Sequence, residues 1–356
     1  MLKTIMIVAP GFYKMTGYYY RAIRDKDALE RNGHRVEIIS FKYPFFLDED
    51  GKKIKYIECL KLLNSAEKLI CENIAPSLLI MPFFKKHRIM VVHGSLEDLR
   101  PFKFYFFKKP LYKFLLSFAL KYYDSIVSVS EAMEDYLIEL NCHRKIHNLI
   151  TIPNLPDNKF LDAVESAKKD QNLKRKLELR EDKKYICYCG NDQSWQKIDY
   201  LLDLFCVISK STNDIDLILL TKEFGSFGEK IKQAKIDLTR IIIKTVENRL
   251  VPNYLVASDL LYIIRDQDMI NKVACPTKAM EYLSSGTDLV ISEGLGDITK
   301  AVLELNRGLV VKPSDDISCV SKKIIDYLSV EPSDNVSYYS VVKYRLSNYD
   351  EKYKAL

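Results

Sequence analysis

The sequence lacks several features that would assign it to a class at once. No apolar run approaches the roughly 18 residues that a membrane-spanning helix needs, so we expect any membrane attachment to be peripheral. The eight cysteines have no paired spacing, and the first residues do not have the composition of a secretory leader. We therefore expect a reduced, cytoplasmic protein, lying free or at the inner face of the plasma membrane.

The charge pattern excludes a further class. The net charge of +6 is modest for 356 residues, and the sequence has no dense basic stripe or nucleic-acid reading motif. This charge is compatible with an acidic partner, such as a phosphate group or an anionic bilayer, without requiring one. Nucleic acid is therefore not an expected partner.

The length and the apolar content predict two domains of similar size. Of the 356 residues, 47% are hydrophobic and 29% are charged, which is enough material for two packed cores. In the first half, an apolar run at 4–10, a helical pattern at 17–32 and a second apolar run at 35–41 form a strand, helix, strand unit. Further strands are predicted at 77–81, 87–93, 124–130 and 149–153.

A second series of strands follows a polar, lysine-rich stretch. Its apolar runs lie at 185–190, 216–221, 240–245, 259–264, 288–292 and 308–311. Two such series predict an α/β fold with two Rossmann-like, doubly wound parallel sheets. We place an N-terminal domain at 1–155, a connector at 156–183, a second domain at 184–334 and a C-terminal helix that packs back on the first domain at 335–356. Since ligands bind at the carboxyl ends of such strands, we expect the site in the cleft between the domains.

The segment 273–286 carries the strongest chemical signal. Pro276 is a favourable first residue for a helix that follows a strand and a polar loop at 265–272. The free backbone N–H groups and the positive dipole end of a helix start attract an anion. Thr277, Lys278 and Glu281 lie on neighbouring faces of the first turns. The segment therefore predicts a sugar-nucleotide site, with Lys278 beside the phosphates and Glu281 on the ribose hydroxyls.

Short motifs along almost the whole chain resemble those of a known family. The motifs are Gly33-His34, Val91-Val92-His93, Ser128-Val129-Ser130-Glu131, Ile152-Pro153-Asn154, Tyr188-Cys189-Gly190, Ala257-Ser258-Asp259 and Pro276-Thr277-Lys278-Ala279-Met280-Glu281-Tyr282. Their order is similar to that in GT-B glycosyltransferases, and most of all in the large retaining family 4 group, which uses nucleotide-diphosphate sugars. The resemblance implies a GT-B fold in which the C-terminal half binds the donor and the N-terminal half binds the acceptor.

The resemblance also implies roles for single residues of the donor half. Glu281 would hold the ribose hydroxyls, and Lys197 would neutralise the diphosphate leaving group. Pro276, Thr277 and Lys278 would supply backbone donors and further charge. The catalytic candidates on this side of the reaction therefore include Lys197.

Three further positions follow from the same resemblance. His93, after a strand of the acceptor half, matches a histidine that lies close to the reacting sugar and is the second catalytic candidate. Gly17, at a helix start, would let backbone approach the phosphates, and Gly190 belongs to the predicted donor phosphate site.

The activity implied is metal-independent, retaining transfer of a hexose-type sugar to a cell-envelope polysaccharide or a lipid-linked glycan. No cofactor is expected beyond the donor substrate, for which UDP is favoured over GDP. Two positions depart from the family pattern: Val273 replaces the first Glu of a common pair, and Asn191 replaces a cation that often follows the strand glycine. Two alternatives therefore stay open, a sugar-nucleotide epimerase or phosphorylase on the same scaffold, and a nucleotide-sugar-binding subunit without catalysis.

Two other clusters suggest metal sites, but we predict none. Asp266-Gln267-Asp268 is similar to the metal motif of GT-A glycosyltransferases, yet that motif closes an N-terminal nucleotide-binding half. Cys142-His143 and His147 have no evident fourth ligand for zinc. We interpret Cys187 and Cys189, which share one face of a strand, as buried thiols.

A basic, aromatic segment at 102–123 has two interpretations. Lysines alternate there with aromatic residues, and Phe83-Phe84-Lys85-Lys86 has the same character. Such a surface on the acceptor half would dock on an anionic bilayer that carries a lipid-linked acceptor. Alternatively, the aromatic side chains belong to a core and the lysines form the wet face of a helix.

Overall fold

The computed structural model describes residues 2–8, 17–42, 45–80, 82–83, 85–100, 104–142, 146–330 and 346–356. The chain divides into two compact units, each built on one sheet. The first unit comprises Met1–Leu155, Lys272–Cys275 and Leu346–Leu356, and the second comprises Pro156–Asn271 and Pro276–Arg345.

The strands of the described part are numbered in chain order. They are β1 (Leu2–Val8), β2 (His34–Lys42), β3 (Phe45–Leu47), β4 (Lys53–Ile54), β5 (Lys68–Glu72), β6 (His87–Val92), β7 (Ser125–Ser128), β8 (Leu149–Thr151), β9 (Lys184–Cys189), β10 (Ile215–Leu220), β11 (Ile241–Lys244), β12 (Leu260–Ile263), β13 (Asp288–Ser292) and β14 (Gly308–Val311).

The α-helices follow the same convention. They are α1 (Gly17–Arg31), α2 (Tyr56–Ser65), α3 (Ile74–Ile80), α4 (Tyr105–Tyr122), α5 (Glu131–Leu140), α6 (Asn158–Lys169), α7 (Leu173–Lys176), α8 (Ile198–Ser211), α9 (Phe224–Ala234), α10 (Val251–Ala257), α11 (Met269–Val273), α12 (Thr277–Ser285), α13 (Gly296–Leu305), α14 (Ile317–Ser329) and α15 (Asp350–Lys354). Short 3₁₀ helices cover Leu96–Leu99, Ser194–Gln196, Leu238–Arg240, Asn248–Leu250 and Leu346–Tyr349.

The first sheet has the strand order β4-β3-β2-β1-β5-β6-β7-β8. Its pairs are parallel except at one end, where β3 pairs antiparallel with β2 and β4 pairs antiparallel with β3. Strand β1 pairs with both β2 and β5, so the strand order reverses between β1 and β5. Glu72, which ends β5, and His93, which follows β6, therefore lie at the edge where ligands of such sheets bind.

One predicted strand is wrong. The apolar run at 77–81 belongs largely to helix α3, whereas the strand of this region, β5, lies earlier. A short apolar run is compatible with either a buried strand or a buried helix, so periodicity alone does not separate them. Pro76 falls in the first turn of α3, where its missing N–H removes no helical hydrogen bond, and the Ser77 hydroxyl donates to the Ile74 carbonyl at 2.6 Å.

The second sheet has the strand order β11-β10-β9-β12-β13-β14 and is parallel throughout its described strands. The strand order reverses between β9 and β12, which is the position where dinucleotides bind in Rossmann folds. Helix α8 covers this sheet with Leu201, Phe205 and Ile208, all buried and spaced by four and three residues. The core beneath it includes Ile186 and Leu260, neighbours across the β9–β12 pair.

The lysine-rich stretch at 156–183, which we treated as a connector, contains α6 and α7 and lies in the second unit. Asp157 caps α6, because its side chain accepts a hydrogen bond from the Phe160 N–H. Leu161 and Val164, on one face of α6, pack with Val256 of α10. The stretch is therefore anchored by apolar residues at helical spacing in α6, and Leu173, Leu177 and Leu179 further along are also buried.

Residues 346–356 of the predicted C-terminal helix are grouped with the first unit, and 331–345 lie outside the described residues. The buried Tyr353 hydroxyl of α15 donates to Asp25 of α1 at 2.6 Å. Asp25 also accepts from Arg24 at 2.9 Å and lies 3.2 Å from the Arg21 guanidinium. Burial by itself raises the pKa of Asp25, but Arg24, Arg21 and the Tyr353 hydroxyl outweigh it, and the net pKa is lowered.

This cluster predicts a large loss of stability in Asp25→Ala. The substitution leaves Arg24 buried without a carboxylate, so we expect the free energy of unfolding to fall by about 3–5 kcal/mol in urea at pH 7. Tyr353→Phe removes one hydrogen bond and should cost about 1–2 kcal/mol. Because the folded pKa of Asp25 lies below 3.8, the difference from the wild type should shrink as the pH falls below about 4. Equal stability of Asp25→Ala and wild type at pH 7 would contradict this role.

Candidate active site

The candidate site lies where the strand order of the second sheet reverses. Gly190 directly follows β9, and Arg265 lies just beyond the neighbouring strand β12. The Arg265 N–H donates to the Ser292 hydroxyl at the end of β13, at 2.9 Å, which holds the ends of these strands together. Residues at these strand ends are therefore placed to contact a ligand.

Helix α12 begins at this edge with free donors. Pro276 is its N-cap, with φ −65° and ψ 129°, and no side chain caps the helix. The helix thus starts at Thr277, slightly later than the predicted start at 275 or 276. Among the described residues, no acceptor contacts the backbone N–H of Thr277 or Lys278. The start of α12 therefore has the donors and the dipole that favour an anion, as predicted from the sequence.

Lys278 turns back from α12 toward β9. Its Nζ donates to the Tyr188 hydroxyl at 3.0 Å and to Gln196 Oε1 at 3.1 Å, and lies 4.1 Å from the centre of the Tyr188 ring. Both acceptors are neutral. Burial lowers the pKa of Lys278 to about 7, and Arg265 lowers it further, against the opposing effect of Glu281. A bound anion would restore the proton to this ammonium group.

Glu281 lies three residues further along the same helix. Burial raises the pKa of its carboxyl to about 7, although Lys278 acts in the opposite direction. No residue in the described part of the chain donates a hydrogen bond to it. Its oxygens are thus available to hydroxyl groups of a ligand.

Gly190 makes room for the lysine. Its φ of +152° is unfavourable for other residues, and a Cβ at this position would collide with the Lys278 ammonium and the Tyr188 hydroxyl. The structure therefore brings together Gly190, Pro276, Thr277, Lys278 and Glu281 of the residues predicted for the donor site.

Lys197 has a different position. Its backbone is left-handed, with φ 52°, and its carbonyl accepts from the Tyr262 hydroxyl at 2.8 Å. Its ammonium pairs with Asp266 at 2.8 Å, and both side chains are partly exposed. The preceding residue, Gln196, is the one that contacts Lys278. The charge of Lys197 is therefore partnered by a carboxylate, and a ligand would have to exchange with Asp266 to use it.

The segment that resembles a GT-A metal motif is accounted for by these contacts. Asp266 pairs with Lys197, and the Asp268 carboxylate accepts from the Asn271 N–H at the start of α11 at 2.8 Å. The described residues contain no group of three or more side chains suited to a metal. Of the cysteine–histidine cluster, His143 lies outside the described residues, and Cys142 is exposed. Cys187 is a buried free thiol on β9, while Cys189 is partly buried.

A pocket of about 280 Å³ adjoins Gly190. It lies at the carboxyl ends of β9, β10 and β11 and is mainly apolar. Its walls include Leu220, Val246 and Val251, with Thr221, Thr245 and Asn248 supplying polar groups. A flat ring with polar edges fits such a lining.

The first unit holds a separate cluster around His93. The His93 Nε2 contacts Glu72 Oε2. The backbone N–H of His93 donates to the Asn73 side-chain oxygen at 3.2 Å. Arg21 of α1 lies 4.0 Å from Glu72. Burial lowers the pKa of His93, which Glu72 alone would raise, so the ring is mainly neutral at pH 7. Gly17 is the first residue of α1, and residues 9–16 lie outside the described part.

Sequence reasoning missed several residues of these clusters. Arg265, assigned to a polar loop, is only 9% exposed, and its position directly after an apolar strand was the signal that could have found it. Tyr188 belongs to the Tyr188-Cys189-Gly190 motif, but no role was assigned to it, and the neutral Gln196 carries no motif of its own. Glu72 was missed because β5 was not predicted.

Two Rossmann-type sheets, the first mainly and the second wholly parallel in its described strands, define an α/β protein of the GT-B class. Solved structures support this fold over the full length. Sucrose-phosphate synthase from Thermosynechococcus elongatus is 13% identical, covers 99% of this chain and 97% of its own, and has a TM-score of 0.72. A glycosyltransferase from Rickettsia africae is 15% identical, with coverage of 99% and 98% and a TM-score of 0.71. WaaG, a glycosyltransferase involved in lipopolysaccharide biosynthesis, is 11% identical, with coverage of 98% and 95% and a TM-score of 0.66.

Residues 169–340 match the family model described as Glycosyl transferases group 1. The match spans most of the second unit, including the whole candidate site. No curated protein sequence matches the chain. The predicted fold class and the resemblance to GT-B glycosyltransferases are confirmed. The family match supports a glycosyltransferase that uses a nucleotide sugar.

The burial of Lys278 predicts a measurable cost in stability. Lys278→Met removes an ammonium that loses hydration on folding, so we expect the free energy of unfolding to rise by about 1–3 kcal/mol at pH 7. From pH 7 to 10.5 the unfolded chain keeps this proton while the folded chain has lost it, so wild-type stability rises with pH and the difference shrinks. Urea unfolding at several pH values measures both effects.

The control is Lys300→Met on α13, where the lysine side chain is 61% exposed. It should change stability by less than about 0.5 kcal/mol at every pH. If Lys278→Met behaved like this control, Lys278 would not be held in a desolvated site.

Proposed function

We propose that this protein is a retaining glycosyltransferase that moves a sugar from a nucleotide-diphosphate sugar to a cell-envelope polysaccharide or a lipid-linked glycan. One observation carries the proposal: the ammonium of Lys278, the second residue of the uncapped helix α12, lies beside Gly190, and no carboxylate is within ion-pair distance of this lysine in the described part of the chain. Donors and positive charge without a counterion suit a diphosphate.

The chemistry proposed is electrostatic assistance to the leaving group. Breaking the bond between the anomeric carbon and the diphosphate oxygen leaves negative charge on the phosphate, which Lys278 and the α12 N–H groups stabilise. The acceptor hydroxyl attacks the anomeric carbon from the side of the leaving group, and its proton passes to a phosphate oxygen. The configuration at the anomeric carbon is thereby retained. In this scheme Lys197 adds charge after exchanging Asp266 for phosphate, while His93 acts on the acceptor side.

The nucleoside has a matching place on the second unit. The pocket of about 280 Å³ beside Gly190 accepts the base, and the Glu281 carboxylate accepts from the ribose hydroxyls. We propose UDP rather than GDP as the nucleotide of the donor. These assignments rest on the adjacency of Gly190 to both the pocket and Lys278.

The acceptor class is supported by helix α4 of the first unit. A stripe of apolar side chains runs along this helix and is exposed over four turns; its members are Phe107, Leu111, Phe114, Phe118 and Tyr122. The helix instead turns Leu116, Ala119 and Leu120 inward, so the aromatic side chains of the stripe are not core residues. Lys113 and Lys121 are exposed on the same helix. We propose that this stripe docks on an anionic bilayer that carries the acceptor. No helix of the described residues is long and apolar enough to span a membrane.

Nucleotide binding tests the donor assignment. We expect UDP at 1 mM to raise the melting temperature by a few degrees, and UDP-sugar plus glycan acceptors to give a radiolabelled product with retained configuration. The product should also form in the presence of a chelator, because protein cations neutralise the leaving group. Loss of activity with the chelator would indicate a metal requirement, with Asp266 and Asp268 as the candidate ligands.

The same assays separate the alternatives. Conversion of the donor sugar without an acceptor would indicate an epimerase, and binding without turnover would indicate a non-catalytic subunit. Failure of every nucleoside diphosphate to stabilise the protein would contradict the central proposal.

Vesicle binding tests the docking surface. Wild-type protein should co-sediment with vesicles containing anionic lipid at low salt, and Phe107→Ser/Phe114→Ser should reduce the bound fraction at least about tenfold, because two large apolar groups are lost. The matched control is Leu238→Ser/Leu303→Ser, which replaces two equally exposed leucines of the second unit. The membrane proposal would be wrong if both variants lost vesicle binding equally, or if the wild-type protein did not bind the vesicles.

A further inference from the structure

Arg265 differs from the other buried arginines of the described chain. Arg21 and Arg24 both pair with Asp25, at 3.2 and 2.5 Å, and Arg88 lies 3.5 Å from Asp124. Arg265 is as buried as Arg88, yet its guanidinium makes no ion pair within the described residues. A buried guanidinium without a counterion is costly, and proteins retain such groups mainly where a ligand compensates them.

The position of Arg265 indicates which ligand that is. It lies beyond the end of β12, beside the β9 end that carries Gly190. It is close enough to Lys278 to lower the pKa of that lysine. Tyr188 is a shared neighbour, since its hydroxyl accepts from Lys278 Nζ at 3.0 Å and its pKa is lowered by Arg265 against the larger effect of burial. Two neighbouring cations that lack carboxylate ion pairs form a site for an anion with more than one negative charge.

We propose that Arg265 is the second cation of the donor site, that it contacts the diphosphate together with Lys278, and that it makes the site selective for two phosphates over one. In this position it takes the place of the cation that Asn191 does not supply after the strand glycine. A guanidinium offers paired donors to phosphate oxygens, whereas the compact ammonium of Lys278 acts as a point charge. This inference rests on the proposed function, because it assigns a partner to the same site.

Calorimetric titration of UDP, UMP and inorganic pyrophosphate into the wild type and Arg265→Gln tests the proposal. Arg265→Gln should weaken UDP and pyrophosphate binding about 10- to 100-fold, while UMP affinity changes less than about threefold. Its melting temperature without ligand should stay the same or rise, because an unpaired buried charge is removed. Arg265→Lys should recover part of the UDP affinity, since the charge returns without the paired donors.

The matched control is Arg307→Gln. Arg307 is also largely buried in the second unit, but it pairs with Asp288 at 2.5 Å at the amino end of β13, the opposite edge of the sheet. This variant should lose stability and keep the wild-type affinity for UDP. If Arg265→Gln instead loses stability and weakens UDP and UMP equally, Arg265 is a structural residue and the inference is wrong.

The outcomes also separate this inference from the proposed function. If the wild type binds UDP and Arg265→Gln binds it equally well, the role of Arg265 is overturned while the glycosyltransferase proposal stands. If the wild type binds no nucleoside diphosphate, the proposed function fails, and pyrophosphate binding then tests the role of Arg265. Pyrophosphate binding by the wild type that is lost in Arg265→Gln supports the two-cation site. Equal pyrophosphate binding by the two proteins overturns it.

Discussion

The second unit is organised around one constraint, the placement of the Lys278 ammonium against neutral acceptors. Tyr188 and Gln196 hold the ammonium by hydrogen bonds, and Gly190 leaves the space that it occupies. Tyr188 and Gly190 belong to the β9 end, so the lysine links the start of α12 to the strand at the reversal of the sheet. A residue with a Cβ in place of Gly190 would collide with this ammonium and with the Tyr188 hydroxyl.

The charges of the two units are handled in opposite ways. In the first unit, Asp25 pairs with Arg21 and Arg24 and accepts from the Tyr353 hydroxyl, and Glu72 lies 4.0 Å from Arg21, so the buried guanidinium groups have carboxylates beside them. In the second unit, Lys278 and Arg265 have no such carboxylate, and the pKa of Lys278 is lowered. A buried charge that is paired with an opposite charge is compatible with a stable fold. A buried charge without such a partner lowers the stability of the free protein, and a bound ligand of opposite charge would remove that cost. This contrast, more than any motif, identifies the site.

Glu281 is the acidic group of the same site, and its pKa is also shifted by burial. Burial raises the pKa of its carboxyl while it lowers that of Lys278 one turn away, and both values fall near 7. Each group favours the charged form of the other, but this effect is smaller than that of burial. A ligand with phosphates and vicinal hydroxyls would bind the charged form of both groups. The departures at Val273 and Asn191 do not change the charges of the proposed nucleotide site, since these come from other positions.

Continuous apolar runs in the sequence were enough to predict two series of parallel strands, because a strand that is buried on both faces needs such a run. The Pro276 to Lys278 start also followed from local rules for helix ends. The run at 77–81 failed because so short a segment suits a helix or a strand equally. Only the tertiary structure decided which cations are available: Lys197 meets Asp266, while Lys278 and Arg265 meet no carboxylate ion partner in the described chain. Pairing of this kind depends on contacts between residues far apart in the chain, such as Tyr188 and Lys278, and no local pattern encodes it.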